Sequence, residues 1–209
     1  MTAAQPESPV ADGARTLEVR WIFPGELETA VAGWFGRFPA GMEQQEDTYL
    51  LGPHLRGLSV KVRGGGAFDV KVYRGSPGIL DVAGQARGRM EFWQKWSCPC
   101  EPLSPVGDPA GWQLVLKRRR ISWFSLASGQ IGPRFPGLGE QPGCAVELTE
   151  VRTLGQVWWS LGFEAAGPAS LLRGELEATA ARVFGQAVPA GVKFGVDDSR
   201  SYAEWLALH

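Results

Sequence analysis

The chain has 209 residues with a formal net charge of −1, and 44% of its residues are hydrophobic. This composition is that of a globular protein, and it provides no overall basic excess to attract nucleic acid or a membrane surface. No apolar run is long enough to cross a membrane, and three cysteines are too few for a disulfide framework. We therefore expect a cytoplasmic protein with neither a nucleic-acid partner nor a membrane partner.

We expect residues 1–15 to form a disordered tail, since they include acids and two prolines but lack the apolar segment of a signal peptide. Residues 16–209 are expected to form one domain. Apolar–polar alternation predicts strands over 16–23, 47–51, 58–63, 68–74, 89–96, 112–125, 144–151 and 157–166, with a short strand over 193–196. Helical spacing predicts helices over 26–38, 168–186 and 201–208. Glycine and proline mark a turn at 64–66 and loops over 99–109 and 129–143.

Six stretches of the sequence place polar, mostly charged residues at every second position, with mainly apolar residues between them. They are Glu18-Val19-Arg20, Lys61-Val62-Arg63, Asp69-Val70-Lys71, Glu91-Phe92-Trp93-Gln94-Lys95, Lys117-Arg118-Arg119 and Glu147-Leu148-Thr149. Since successive side chains of a strand point to opposite faces, each stretch has one charged and one mainly apolar face. One such strand is typical of the solvated surface of an antiparallel sheet. Six of them favour a mostly antiparallel α+β fold, in which about eight strands close into a barrel with a charged, anion-binding interior and two or three helices flank it.

The order of these elements resembles the CYTH superfamily, the triphosphate tunnel metalloenzymes. The first strand, Thr16-Leu17-Glu18-Val19-Arg20, is similar to the Glu-x-Glu-x-Lys motif of that family, with Thr16 in place of the first carboxylate. Gly162-Phe163-Glu164 is similar to its last Glu-x-Glu motif, again with one carboxylate replaced. The basic strands and the closing segment, with Lys193-Phe194 and the residues after Ser201, also resemble the family in their order.

The resemblance implies a closed barrel whose tunnel binds a triphosphate through Lys and Arg and holds Mg²⁺ or Mn²⁺ through carboxylates. The ligand-binding cations that it implies are Arg20, Lys61, Arg63, Lys71, Lys95, Lys117, Arg119 and Lys193. The metal ligands that it implies are Glu18, Glu147 and Glu164, with Glu91 as a fourth. The corresponding reaction is metal-dependent hydrolysis of a phosphoanhydride bond in a small phosphorylated ligand.

Two other functions stay open at this point. Because Thr16 and Gly162 replace expected carboxylates, the same barrel could bind a polyanion without catalysing a reaction. With nine tryptophans in the chain, a lipocalin-like barrel for an apolar ligand is a second alternative. The run of four basic residues over 117–120 could mark a nucleic-acid patch, but in a strand it divides between two opposite faces.

Overall fold

The computed structural model describes residues 13–64, 66–100, 111–126, 128–133 and 141–208. In chain order the elements are β1 (Ala14–Pro24), α1 (Thr29–Phe35), β2 (Gly41–Leu50), β3 (Leu58–Arg63), β4 (Ala67–Val82), β5 (Ala86–Pro99), β6 (Trp112–Phe124), β7 (Ile131–Gly132), β8 (Gly143–Thr153), β9 (Gln156–Ala166), α2 (Ala169–Phe184) and α3 (Tyr202–Leu206), with a short 3-10 helix at Val196–Asp198 before α3. The first twelve residues of the predicted tail, and residues 101–109 and 134–140 of the two predicted Gly/Pro-rich loops, lie outside the described residues. None of the helices in the described part of the chain has the length and apolar character needed to cross a membrane.

Eight of the strands form a closed antiparallel barrel. Neighbouring strands around it are β2, β3, β4, β5, β1, β9, β8 and β6, and pairing of β6 with β2 completes the circle. The short strand β7 pairs with the end of β6. The predicted fold class is therefore confirmed, whereas β7 was not predicted because it lies within a segment whose glycines and prolines indicate a loop.

Strand β2 begins at Gly41, not at residue 47 as predicted. The residues that precede 47 are all polar from Glu43 onward, so they lack the apolar alternation on which the prediction relied. The structure explains this composition, because Gln44 and Glu46 are exposed on the outside of the barrel. Gln45, on the opposite face of the strand, lines the polar interior. A strand between solvent and a polar interior needs no apolar face.

The strand predicted over 193–196 is wrong. In the structure, Phe194 makes one isolated bridge with Ala86, and the chain then enters the 3-10 helix. Phe194 is buried against the aromatic core outside the barrel. Residue 194 is apolar because its ring is buried in this core, and not because it belongs to a strand.

The apolar faces of the strands point outward and pack beneath the helices. The main core lies between the outer wall of the barrel and the two longer helices. The barrel contributes Leu17, Val19, Trp21, Leu161 and Phe163, α1 contributes Val31, Trp34 and Phe35, and α2 contributes Leu172, Leu176, Val183 and Phe184. Trp21 lies at its centre, with its ring edge-on to Phe163 and Phe184 at centroid distances of 6.1 and 5.8 Å. Since the helices cover the apolar outer wall on this side, the opposite, charged faces of the strands line the barrel interior.

The packing around Trp21 leaves no room for a side chain at Gly88 of β5. An added Cβ would lie 2.6 Å from both Trp21 Cζ2 and Val19 Cγ2. We predict that Gly88→Ala lowers the free energy of unfolding by about 1–3 kcal/mol, the usual cost of overpacking a core. Gly174→Ala, in the exposed part of α2 with no atom within 4 Å, is the matched control and should raise it by about 0.5–1 kcal/mol. Urea denaturation measures both, and an unchanged Gly88→Ala would contradict this packing.

Candidate functional site

The barrel interior forms a tunnel lined mainly by charged side chains. It contains about 810 Å³ of empty space, part of it open to solvent. Among the described residues, its cationic lining is Arg20, Lys61, Arg63, Lys71, Arg89, Lys95, Lys117, Arg119 and Arg200, and its acidic lining is Glu18, Asp47, Glu91, Glu147 and Glu164. A chain with a net charge of −1 thus places nine cations and five carboxylates in the tunnel lining. Three further carboxylates, Asp69, Glu204 and Glu43, contact cations of this lining.

The structure brings together eleven of the twelve site residues predicted from the sequence, including all four predicted carboxylates. The exception is Lys193, which is exposed and is not among the residues that line the tunnel. Its neighbour Phe194 is buried in the core outside the barrel. This anchor keeps the segment that carries Lys193 on the outer side of the barrel wall.

Asp47 of β2 is fully buried and lies between two lysines from other strands. Its Oδ2 accepts hydrogen bonds from Lys61 Nζ at 2.9 Å and from Lys117 Nζ at 2.7 Å. Burial alone would raise the pKa of Asp47, but the two ammonium groups outweigh burial and hold its pKa well below the usual range. Burial lowers the pKa of Lys117 to about 8 despite the attraction of Asp47. The single negative charge of Asp47 therefore does not fully compensate the positive charges of the two buried lysines.

Two tyrosines complete the surroundings of Lys117. Its Nζ donates to the hydroxyl of Tyr49 at 2.6 Å and lies 4.3 Å from the centre of the Tyr202 ring. The guanidinium of Arg20 lies over the same Tyr202 ring, at 4.6 Å from its centre. Cations attracted to an aromatic face keep their positive charge available to a further anion.

The segment that carries Tyr202 is fixed against one end of the tunnel. Arg89 Nη2 donates to the backbone oxygen of Ser199 at 2.7 Å and to Glu204 Oε2 at 2.8 Å. Ser201 caps α3 by accepting a hydrogen bond from the Glu204 backbone N–H at 3.2 Å. These contacts hold α3 in place, so the Tyr202 ring forms part of the tunnel wall.

Asp69 of β4 is a second buried carboxylate that is shared by several cations. Its Oδ2 lies 2.9 Å from Arg63 Nη2 and 3.3 Å from Lys95 Nζ, and the Ser97 hydroxyl donates to its Oδ1. Burial would raise the pKa of Asp69, but the hydrogen bond from Ser97 and the charge of Lys95 lower it. This carboxylate therefore stays ionised and orients Arg63 and Lys95.

Gly162 allows Arg20 to reach across strand β9. In the sheet, Gly162 pairs with Arg20 on one side and with Glu147 on the other. Arg20 Nη1 lies 3.3 Å from Glu147 Oε1, and a Cβ at position 162 would lie 2.6 Å from Arg20 Cζ. Arg119 Nε donates to the second oxygen of Glu147 at 3.0 Å. The guanidinium of Arg20 therefore lies in the space where a side chain at position 162 would be.

Three carboxylates lie side by side across three neighbouring strands, because Glu18 of β1 pairs with Glu91 of β5 and with Glu164 of β9. Lys71 Nζ donates to Glu18 Oε1 at 2.7 Å and to Glu164 Oε1 at 3.3 Å. Thr16 donates to the same Glu18 oxygen at 2.6 Å. Glu91 accepts a hydrogen bond from Trp93 Nε1 at 3.0 Å.

This arrangement does not fit a metal ion. Within the described ranges, no group of three or more His, Cys, Asp or Glu side chains is placed to hold one. The ammonium of Lys71 contacts two of the carboxylates predicted as metal ligands, Glu18 and Glu164. Both oxygens of Glu147, a third, contact guanidinium groups.

Several residues of the site were not assigned to it from the sequence. Asp47, Tyr49, Arg89 and Tyr202 line the tunnel, and Asp69 contacts two of its cations. The signal for Asp69 was present, since it alternates with Lys71 in one of the six charged stretches. Asp47 and Tyr49 alternate in the same way at the end of β2. No local pattern indicates Tyr202, because only the path of the chain after α2 brings it to the tunnel.

No protein-family model and no curated protein matches this chain, whereas several solved structures are similar to it. A conserved hypothetical protein from Pyrococcus furiosus is 16% identical, over 90% of this chain and 98% of that one, with a TM-score of 0.47. A protein from Pyrococcus horikoshii is 15% identical, over 90% and 97%, with a TM-score of 0.45. The Pct1 RNA triphosphatase of Schizosaccharomyces pombe is 11% identical, over 85% and 83%, with a TM-score of 0.43.

The resemblance to triphosphate tunnel metalloenzymes is confirmed at the level of the fold. The closed barrel of eight antiparallel strands is the architecture that this resemblance implied. The inward charged faces of the strands agree with it as well.

Glu91 gives the fold a dependence on pH. Burial raises its pKa from 4.5 to about 7, so between these values the folded state holds a proton that the unfolded state has released. This group therefore makes the free energy of unfolding fall as the pH rises through that window. Glu91→Gln stays neutral and keeps an acceptor for Trp93 Nε1. We predict that its stability relative to the parent protein increases from about pH 4 to about pH 8, as measured by urea denaturation. A difference that is constant with pH would contradict the raised pKa.

Proposed function

We propose that the tunnel binds a phosphorylated polyanion of the triphosphate type. The observation that carries the proposal is the group of nine cations that line one tunnel, to which five strands of the barrel contribute. Cations on different walls of a closed sheet can contact several anionic oxygens of one ligand at once. A polyanion with several charged groups in a row matches such a lining better than a ligand with one charge.

The chemistry of the lining supports the same choice. Removing a polyanion from water is costly unless charge-assisted hydrogen bonds replace its hydration. Arg63 offers planar, forked donors for phosphate oxygens, while Lys61 and Lys117 act as compact charges. Burial also lowers the pKa of Lys61 and Lys117. A bound polyanion would supply the negative charge that these two lysines lack in the free protein.

Of the alternatives left open by the sequence, the apolar-ligand barrel has the least support. An apolar molecule would cover charged groups without providing them with hydrogen-bond partners, which is unfavourable. Metal-dependent hydrolysis with Mg²⁺ or Mn²⁺ stays a prediction of the resemblance. A binding protein without catalysis agrees with the contacts that side-chain cations make with one oxygen of Glu18, one oxygen of Glu164 and both oxygens of Glu147.

The basic pair of β3 gives the sharpest test of the proposal. We predict that Lys61→Met combined with Arg63→Met weakens the binding of inorganic triphosphate by about 100-fold or more, because each lost charge-assisted hydrogen bond is worth about 1.5–3 kcal/mol. Methionine keeps much of each apolar stem. Isothermal titration calorimetry measures the affinity, and free phosphate assayed in the same sample shows whether hydrolysis accompanies binding.

The matched control removes the same charge from the outer surface. Arg118 of β6 and Arg173 of α2 are both exposed, at 53% and 57% of their side-chain area. Arg118→Met combined with Arg173→Met should bind triphosphate like the parent protein. If the β3 variant keeps full affinity while it remains folded, or if both double variants lose affinity equally, the assignment of the tunnel as the binding site is wrong.

A further inference from the structure

We propose that the tunnel binds its polyanion without a divalent metal ion, because Lys71 and Arg20 contact three of the four carboxylates predicted as metal ligands. This inference rests on the proposed function, since it concerns how the same site neutralises the same ligand. In this chain, side chains would supply the positive charge that accompanies the ligand.

The first observation is the position of Lys71. Glu18 and Glu164 are directly paired on neighbouring strands, and Lys71 Nζ contacts one oxygen of each, at 2.7 and 3.3 Å. All three side chains are at least three-quarters shielded from solvent, since their exposed fractions are 16%, 24% and 19%. A metal ion between the two carboxylates would have to displace this ammonium or lie beside it. Two cations at such a short separation repel each other strongly in a shielded site.

The second observation is independent and concerns Arg20. Its guanidinium occupies the space beside Gly162 and contacts Glu147 Oε1. Arg119 contacts the other oxygen of Glu147, and Thr149 donates to Oε1 at 2.6 Å. Arginine stays protonated under all ordinary conditions, so this cation does not leave by losing its proton. Both oxygens of the Glu147 carboxylate are therefore in contact with guanidinium groups.

Both observations have the same consequence for a bound polyanion. Mg²⁺ in proteins is usually held by one or two carboxylates together with phosphate oxygens and water. Here Glu18, Glu164 and Glu147 already pair with fixed cations. Lys71 and Arg20 lie in the tunnel with the other lining cations, so positive charge is present at these carboxylates before any metal ion arrives.

The test uses the whole protein and two probes. The first probe is inorganic triphosphate, titrated by calorimetry in the presence of a chelator and, separately, of Mg²⁺. We expect binding in the chelator. Binding that occurs only with Mg²⁺ would overturn the inference and leave the proposed function intact. Binding under neither condition would overturn the proposed function, and the inference with it.

The second probe is Mn²⁺ alone, whose free form is followed by electron paramagnetic resonance. We expect the parent protein to leave the Mn²⁺ signal unchanged, and Lys71→Met to reduce it, because that variant frees Glu18 and Glu164. The control, Lys71→Met combined with Glu18→Gln, should restore the signal. If the parent protein takes up Mn²⁺ stoichiometrically and Glu18→Gln loses this uptake, the inference is wrong. This outcome does not depend on whether Lys71→Met folds.

Discussion

The whole structure depends on the alternation of charged and apolar residues along the strands, which makes the charged faces of the strands point into the barrel. Charged side chains that are shielded from solvent are costly, so each buried charge needs a partner. Asp47 and Asp69 meet this need by each contacting at least two cations. The acidic side chains thus stabilise the tunnel in the absence of a ligand, while cations from five strands leave it suited to an anion.

The helices have a matching role on the outside. Because α1 and α2 cover much of the apolar wall, Trp21 and its aromatic neighbours form the main core outside the barrel. Packing therefore fixes the strands from one side and ion pairs fix them from the other. The C-terminal segment links the two regions, since Phe194 lies in the core and Tyr202 lies in the tunnel wall.

Much of the fold and most of the charged side chains that line the tunnel could be predicted from the sequence, because strand alternation is a local property. Lys117 and Arg119 face inward and Arg118 faces outward, as the spacing requires. The contacts made by each charge depend on non-local pairing, and no local pattern reports that pairing. For example, the spacing predicts that Lys71 faces the tunnel, but it does not predict the contacts of Lys71 with Glu18 and Glu164.

The central claim is that cations of the tunnel bind a polyanion directly. A crystal structure of the protein grown with inorganic triphosphate tests it most directly. We expect phosphate oxygens within hydrogen-bond distance of Lys61 Nζ and Lys117 Nζ, and longer distances from these atoms to Asp47. A ligand bound outside the barrel, with the contacts of Asp47 unchanged, would contradict the account.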